Sequence, residues 1–214
     1  MSDVSAALQE ALQEPWPDLA VQREGVSVGI WVFLASEVLF FGVLISTYAV
    51  YRSLDPAAFR AAAQHTEILY GTINTVLLLT SSVTMTVALR ASAVRWRRAT
   101  VACLLITLAL GVAFLLVKGL EYYDDLQKGL FPGGSFPLSD PPTQLFWALY
   151  WIMTGIHALH LSAGILVVGV VAWLFGRRVL PVQDSTMEGV ATYWHFVDTV
   201  WLVLYPLLYL VGRI

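Results

Sequence analysis

Five stretches of this chain are long and apolar enough to cross a lipid bilayer, and they constrain its fold more than any motif does. They lie at about 27–51, 68–89, 100–122, 145–175 and 190–211. A helix of about 20 apolar residues spans the ~30 Å hydrocarbon core. Inside that core the backbone must satisfy its own hydrogen bonds, which leaves helices and closed barrels. Runs of this length read as helices. Of the 214 residues 13% are charged, about half the share found in soluble domains. The expectation is an all-α integral membrane protein, a bundle of five transmembrane helices in one domain over 27–214.

The connections carry the polar and helix-breaking residues: "RSLDPAAFRAAAQHTE", "RASAVRWRR", "LFPGGSFPLSDPP" and "GRRVLPVQDSTM". Residues 1–26 are acidic and lack a long apolar core, so they are expected to form a tail at the cytoplasmic surface rather than a signal peptide. Within that tail, Ala6 to Glu14 has the pattern of a short amphipathic helix ended by Pro15 and Pro17. Orientation follows the loop arginines. One side holds Arg23, Arg90, Arg95, Arg97, Arg98, Arg177 and Arg178, seven cations; the other holds Arg52, Arg60, Lys128 and Arg213, four. This bias places the N-terminus in the cytoplasm and the C-terminus in the periplasm. No basic tract suggests nucleic acid. The lone cysteine, Cys103, excludes an intrachain disulfide and a thiolate metal site. An odd number of spans does not divide into the two inverted halves common in secondary transporters.

Ionisable groups inside spans cost about 2.5–3.5 kcal/mol each on insertion scales and need partners. Glu37 lies about ten residues, or ~15 Å, into the first span. A carboxyl at that depth requires either a bound proton or a polar neighbour, which makes it a bracing group or a proton-exchanging, water-organising one. His157 and His160 share a face of the fourth span, and His195 and Asp198 share one of the fifth. His160 and His195 fall at similar depth. Three readings stand: a haem or metal site, a structural network of buried hydrogen bonds, or a hydrated pocket touching a proton path or lipid headgroup. Asn74 is expected to bond across helices. Thr154, Ala158 and Ser162 form a small-residue row for close helix approach. Glu121, Tyr122 and Tyr123 mark the outer end of the third span, and Lys118 can reach the interface or Glu121.

Taken in order, "ASEVLFFG", "INTVLLLTSSVTM", "LGVAFLLVKGLEYYDD", "TGIHALHLSAG" and "YWHFVDTVWLVLY" resemble the motifs of subunit III of haem–copper terminal oxidases, over about Val28 to Gly212. The chain resembles the shorter, five-helix form of that family. The resemblance implies a non-catalytic subunit of a proton-pumping oxidase in the bacterial inner membrane. It would bind no haem or copper itself, these belonging to the partner catalytic subunits. It would pack directly on subunit I beside subunit II and bind phospholipid. Glu188, two turns before His195, matches a further acid of the family pattern. With Glu37, His195 and Asp198 it is expected to form the buried or proton-exchanging set, while Asn74, Glu121, His157 and His160 form the helix-linking or lipid-contacting set. Neither a catalytic residue nor a metal ligand is expected. A quinol oxidase subunit and the related subunit associated with nitric oxide reduction are the neighbouring readings. A small-solute transporter or haem-binding membrane protein is the remote one.

Overall fold

A computed structural model describes residues 19–133, 140–177 and 184–213. The short helix expected over Ala6 to Glu14 lies outside the described residues. All regular structure among the described residues is helical. The helices are α1 (Leu19–Leu54), α2 (Pro56–Ala63), α3 (Ile68–Ala93), α4 (Arg97–Gln127), α5 (Pro141–Arg177) and α6 (Asp184–Tyr205). A π-helical turn (Pro206–Leu210) and a 3₁₀ turn (Val211–Arg213) follow α6. Five segments are long and apolar enough to cross a membrane: Ser27–Leu54, Ile68–Ala93, Arg97–Gln127, Pro141–Arg177 and Thr186–Arg213.

By its internal contacts the chain divides at Leu39 into two units. The first contains the leading part of α1, where Trp31, Val32 and Leu39 are all exposed. Everything from Phe40 onward forms the second. Helix α1 starts at Leu19, inside the stretch expected to be tail, since no proline occurs from Leu19 to Leu54 to stop it.

In the second unit the helices pack along heptad seams. On α4 the buried residues are Thr100, Leu104, Thr107, Gly111, Phe114, Lys118, Glu121 and Asp125. Their alternating spacing of four and three keeps one stripe facing a partner helix. Helix α3 answers with Gly71, Asn74, Leu78, Ser81, Met85 and Ala88, and these two antiparallel helices make the most extensive contact in the molecule. Polar and small residues lie inward on both seams, while leucines and valines such as Leu116, Leu120, Val76 and Val83 point outward. That inverts the soluble pattern, because in lipid close packing and interhelical hydrogen bonds, not apolar burial, hold helices together. It also explains why α4 runs past 122 to Gln127: the charges that suggested an end continue the seam.

Two helix ends show how the sequence sets the turns. After α3, Arg95 takes a left-handed conformation (φ 57°). Its N–H donates to Ser92 O (2.9 Å) and that of Trp96 to Ala91 O (2.9 Å), the paired bonds of a Schellman cap. After α4, Gly129 (φ 71°) does the same at less conformational cost, with Leu130 N donating to Asp125 O (2.9 Å). Helix α2 was not expected. Pro56 opens it at a position where proline is tolerated, and Phe59 packs edge-on against Tyr48 and Phe146 at 5.3 and 5.7 Å. The end of the chain rests on α2. A side chain at Gly212 would come within 2.9 Å of the backbone of Ala63 and Gln64, so glycine permits this approach.

Candidate functional site

Pro206 lacks an amide hydrogen and its ring clashes with the preceding turn, so α6 widens into the π turn there. Tyr48 on α1 donates its hydroxyl to the carbonyl of Leu207 at 2.6 Å. The wider turn leaves Tyr209 fully buried against α4, where it completes a cluster built on the α4 seam.

Lys118, 2% exposed, is the centre of this cluster. Its ammonium has three hydrogens and three close acceptors: Glu121 Oε2 at 3.0 Å, Tyr150 OH at 2.8 Å and Tyr209 OH at 2.7 Å. Tyr209 donates to Glu121 Oε1 at 2.7 Å. Tyr150 OH lies 2.8 Å from Glu121 Oε1 and 3.0 Å from Asp125 Oδ2, and its one hydrogen serves one of them at a time. The ammonium also sits 4.5 Å from the Tyr150 ring centroid and 4.8 Å from that of Tyr122, within cation–π range. One cation thus faces two acids among aromatic rings, with three helical segments tied at one point. Of the two expectations for Lys118 the pairing with Glu121 is the one formed, while the placement of Glu121 at the outer end of the span is corrected. Both are in the core, because they occupy seam positions four and three residues after Phe114 and Lys118. Tyr123 is the residue of that run that faces outward, while Tyr122 OH pairs with Thr154 Oγ1 at 2.7 Å.

A second polar set joins α6 to α3. Trp194 Nε1 donates to Ser81 Oγ (3.1 Å), His195 Nδ1 meets Ser82 Oγ (2.8 Å), Trp201 Nε1 donates to Thr75 Oγ1 (3.1 Å), and Tyr205 OH meets Thr72 Oγ1 (2.7 Å). These four contacts form a ladder: aromatic groups with polar handles on α6 meet the small hydroxyl residues of α3. Such bonds contribute about 0.6–2 kcal/mol each in membranes. Gly111 on α4 makes room for the Trp194 ring, which would lie 3.0 Å from a side chain there.

The remaining candidates separate. Asp198 faces inward between the two tryptophans with the Ser82 hydroxyl as its polar neighbour, and neither of its oxygens reaches full hydrogen-bond geometry with a described residue. The same holds for the imidazole of His157, packed 5.2 Å from the Trp201 ring and 5.6 Å from Phe114, and for the amide of Asn74. The cross-helix bond expected of Asn74 is therefore not formed, although the residue is fully buried on the seam. His160 turns to a different neighbourhood. Its Nδ1 is 2.9 Å from Ile156 O, its carbonyl accepts from Tyr193 OH at 2.9 Å, and its ring lies 5.3 Å from Phe41. Glu188 is exposed rather than buried, on the half-open face that His195 continues seven residues on. Glu37 is half-buried on α1, in the first unit. No three His, Cys, Asp or Glu side chains converge among the described residues.

Sequence reasoning missed Asp125, Tyr150 and Tyr209. The signal for Asp125 was present: the four-and-three spacing from Gly111 through Glu121 continues to it.

Apolar outer faces, polar inner seams and five helices long and apolar enough to cross a membrane define a multi-pass membrane protein. The sequence profile of the cytochrome c oxidase subunit III family matches residues 9–213, and the chain belongs to that family. It is 34% identical over 192 residues to cytochrome c oxidase subunit 3 of Thermostichus vulcanus, covering 87% of each protein. To its Synechocystis counterpart it is 32% identical over 194 residues, 85% of this chain and 74% of that one. The cytochrome bo(3) ubiquinol oxidase subunit 3 of Pseudomonas aeruginosa is 29% identical over 187 residues, 87% of this chain and 85% of that one. The chain is thus an oxidase subunit III, with a place in respiratory electron transport that follows from its family.

Proposed function

We propose that this chain is the non-catalytic subunit III of a proton-pumping cytochrome c oxidase in a bacterial plasma membrane, with its N-terminus in the cytoplasm. In this reading haem and copper reside in the partner subunits. The chain packs on subunit I, with subunit II a further member of the complex, and phospholipid fills its periphery. Its role is to steady the catalytic subunit and support proton uptake, with Glu37 the midmembrane group that exchanges protons or organises water. The observation that carries the reading is the family match over residues 9–213 on a bundle of five spanning helices. The surroundings of the histidines support it. His195 faces two hydroxyls, Ser82 and Thr86, and His160 faces a carbonyl of its own helix, environments suited to holding helices.

Relatives that are quinol oxidase subunits, at 29% and 28% identity, favour one second reading, in which the complex takes electrons from quinol. Purification of the tagged chain from its native membranes distinguishes the two. The expected result is copurification of a haem-bearing partner and oxidation of reduced cytochrome c, with the chain itself colourless once separated. Quinol oxidation without cytochrome c oxidation selects the second reading. A chain that purifies alone and carries haem overturns both.

A further inference from the structure

The cluster around Lys118 holds more acid than base. Its two carboxyls, Glu121 and Asp125, are each 1% exposed and share one ammonium. Lys118 pairs with Glu121, and Asp125 makes no ion pair with any described residue. The next cation along the chain, Lys128, is engaged with Glu67 at 2.7 Å on the exposed end of the bundle. Asp124, beside Asp125, accepts from Tyr70 of α3 at 2.8 Å. From α5, Tyr150 OH lies 3.0 Å from Asp125 Oδ2, while Asp125 Oδ1 meets no donor among the described residues. Tyr209, in the turn after α6, serves Glu121.

The hydrogens of this cluster distinguish two states. With both acids ionised it carries one surplus negative charge. The single hydrogen of Tyr150 then serves Glu121 Oε1, at 2.8 Å, or Asp125 Oδ2, at 3.0 Å, and not both. Even when it serves Asp125, that carboxylate has one bond and no counter-ion, a costly state for a buried charge. One further proton on Asp125 Oδ2 changes this. Asp125 donates to Tyr150, Tyr150 and Tyr209 both donate to Glu121 Oε1, and Lys118 donates to Glu121 Oε2 and to both phenols. The Tyr150 oxygen accepts twice, which its two lone pairs allow. The cluster is then neutral, and the oxygen left without a donor belongs to an uncharged acid.

We propose that this cluster is a proton-binding site, one proton being held between Asp125 and Tyr150 and exchanged with water at the Lys128 end of the bundle. When the proton leaves, the Tyr150 hydrogen turns from Glu121 to Asp125, and an uncompensated charge remains between α4 and α5. Loss of the proton therefore loosens the tie between these helices, which makes the cluster a pH-sensitive lock. The occupant is a proton rather than a metal ion. A hard cation such as calcium takes about six or more oxygen ligands, and no three His, Cys, Asp or Glu side chains converge among the described residues. In the orientation proposed above the lock responds to the periplasm; the site itself stands without that orientation.

The test counts protonated carboxyls by infrared spectroscopy of the full chain in mild detergent, with thermal unfolding of the same samples. At neutral pH Asp125→Asn is expected to lack one carboxylic acid relative to the parent, and Asp124→Asn, on the neighbouring acid, to lack none. The asparagine amide can donate to Tyr150 as the bound proton does, so Asp125→Asn should melt within ~4 °C of the parent. The folded chain holds a proton that an unfolded aspartate has released at neutral pH. The parent should therefore lose stability as pH rises, and Asp125→Asn should lose less. An unchanged carboxyl count in Asp125→Asn overturns the site, as does an Asp125→Asn chain that no longer folds. A parent Tm that rises with sodium at constant ionic strength also overturns it, the occupant then being a metal ion.

Discussion

Replacing Lys118 by methionine keeps the length of the side chain and removes the cation from the buried cluster. Glu121 then loses its ion pair at 3.0 Å, and the hydroxyls of Tyr150 and Tyr209 lose the ammonium at 2.8 and 2.7 Å. Both acids of the cluster, Glu121 and Asp125, remain at 1% exposure with two phenols to share. Breaking a buried pair on one side costs about 3–5 kcal/mol, because the remaining charge has neither water nor a counter-ion. For a chain of this length that is roughly 6–20 °C in Tm. A second substitution separates this cause from lost packing. Glu121→Gln keeps a carbonyl where Oε1 accepts from both tyrosines, so Lys118→Met/Glu121→Gln leaves no unpaired charge from the pair and recovers at least half the loss. The assay is thermal unfolding of the full chain in mild detergent for the parent, both single variants and the double, read as a mutant cycle. A double variant as unstable as Lys118→Met, or a single-variant loss below about 1 kcal/mol, refutes the argument that an uncompensated buried charge is what the cluster prevents.

Gly212→Ala pushes a side chain into the backbone of Ala63 and Gln64, so unfolding measurements should show a loss of about 1–3 kcal/mol and easier proteolysis of the last turn. Arg95→Gly relieves a left-handed arginine in the cap after α3 and should raise stability by about 1 kcal/mol; an unchanged or lowered Tm counts against the cap. Replacing His157 or His160 should reduce the yield of assembled complex and leave the haem spectrum of what does assemble unchanged. A shifted haem band would make either a ligand. Glu37→Gln should permit assembly and oxygen reduction while slowing proton uptake, most at high pH where protons are scarce. Complete loss of oxygen reduction in an assembled complex would place this chain in the catalytic core.

The five spans were legible because lipid imposes a length and a composition that the sequence must display. Their inward faces were harder to read, since outward faces are apolar as well and periodicity of hydrophobicity fades. Lys118 and Glu121 illustrate the difficulty. A charge near the end of an apolar run looks like an approach to the headgroups, and only the seam spacing that links it to Gly111 and Phe114 marks it as core. Tyr209 was beyond sequence reasoning because its position depends on the widened turn that Pro206 causes. Tyr150 shares no local signal with its partners, which lie about 30 residues earlier and 60 later. The stretch Trp194–Asp198 was legible as a polar face. Its partners on α3, the hydroxyls of Ser81 and Ser82, looked like ordinary small residues.

The two polar sets solve the problem of buried polarity in opposite ways. Around Lys118 every hydrogen of the cation has an acceptor and three helical segments contribute, so the cluster fixes one arrangement and penalises every other. Around Trp201 the inward groups alternate. The indole is bonded to Thr75, whereas the Asp198 carboxyl, the His157 ring and the Asn74 amide reach full hydrogen-bond geometry with none of the described residues. Buried groups of this kind cost about 1–3 kcal/mol apiece when unsatisfied. Three helices meet at the Trp201 ring, α4 through Phe114 at 4.8 Å, α5 through His157 at 5.2 Å and α6 through Trp201 itself. The Lys118 cluster, where Asp125 Oδ1 is the atom without a partner among the described residues, and the α3–α6 ladder tie together helices whose other inward polar groups make few bonds.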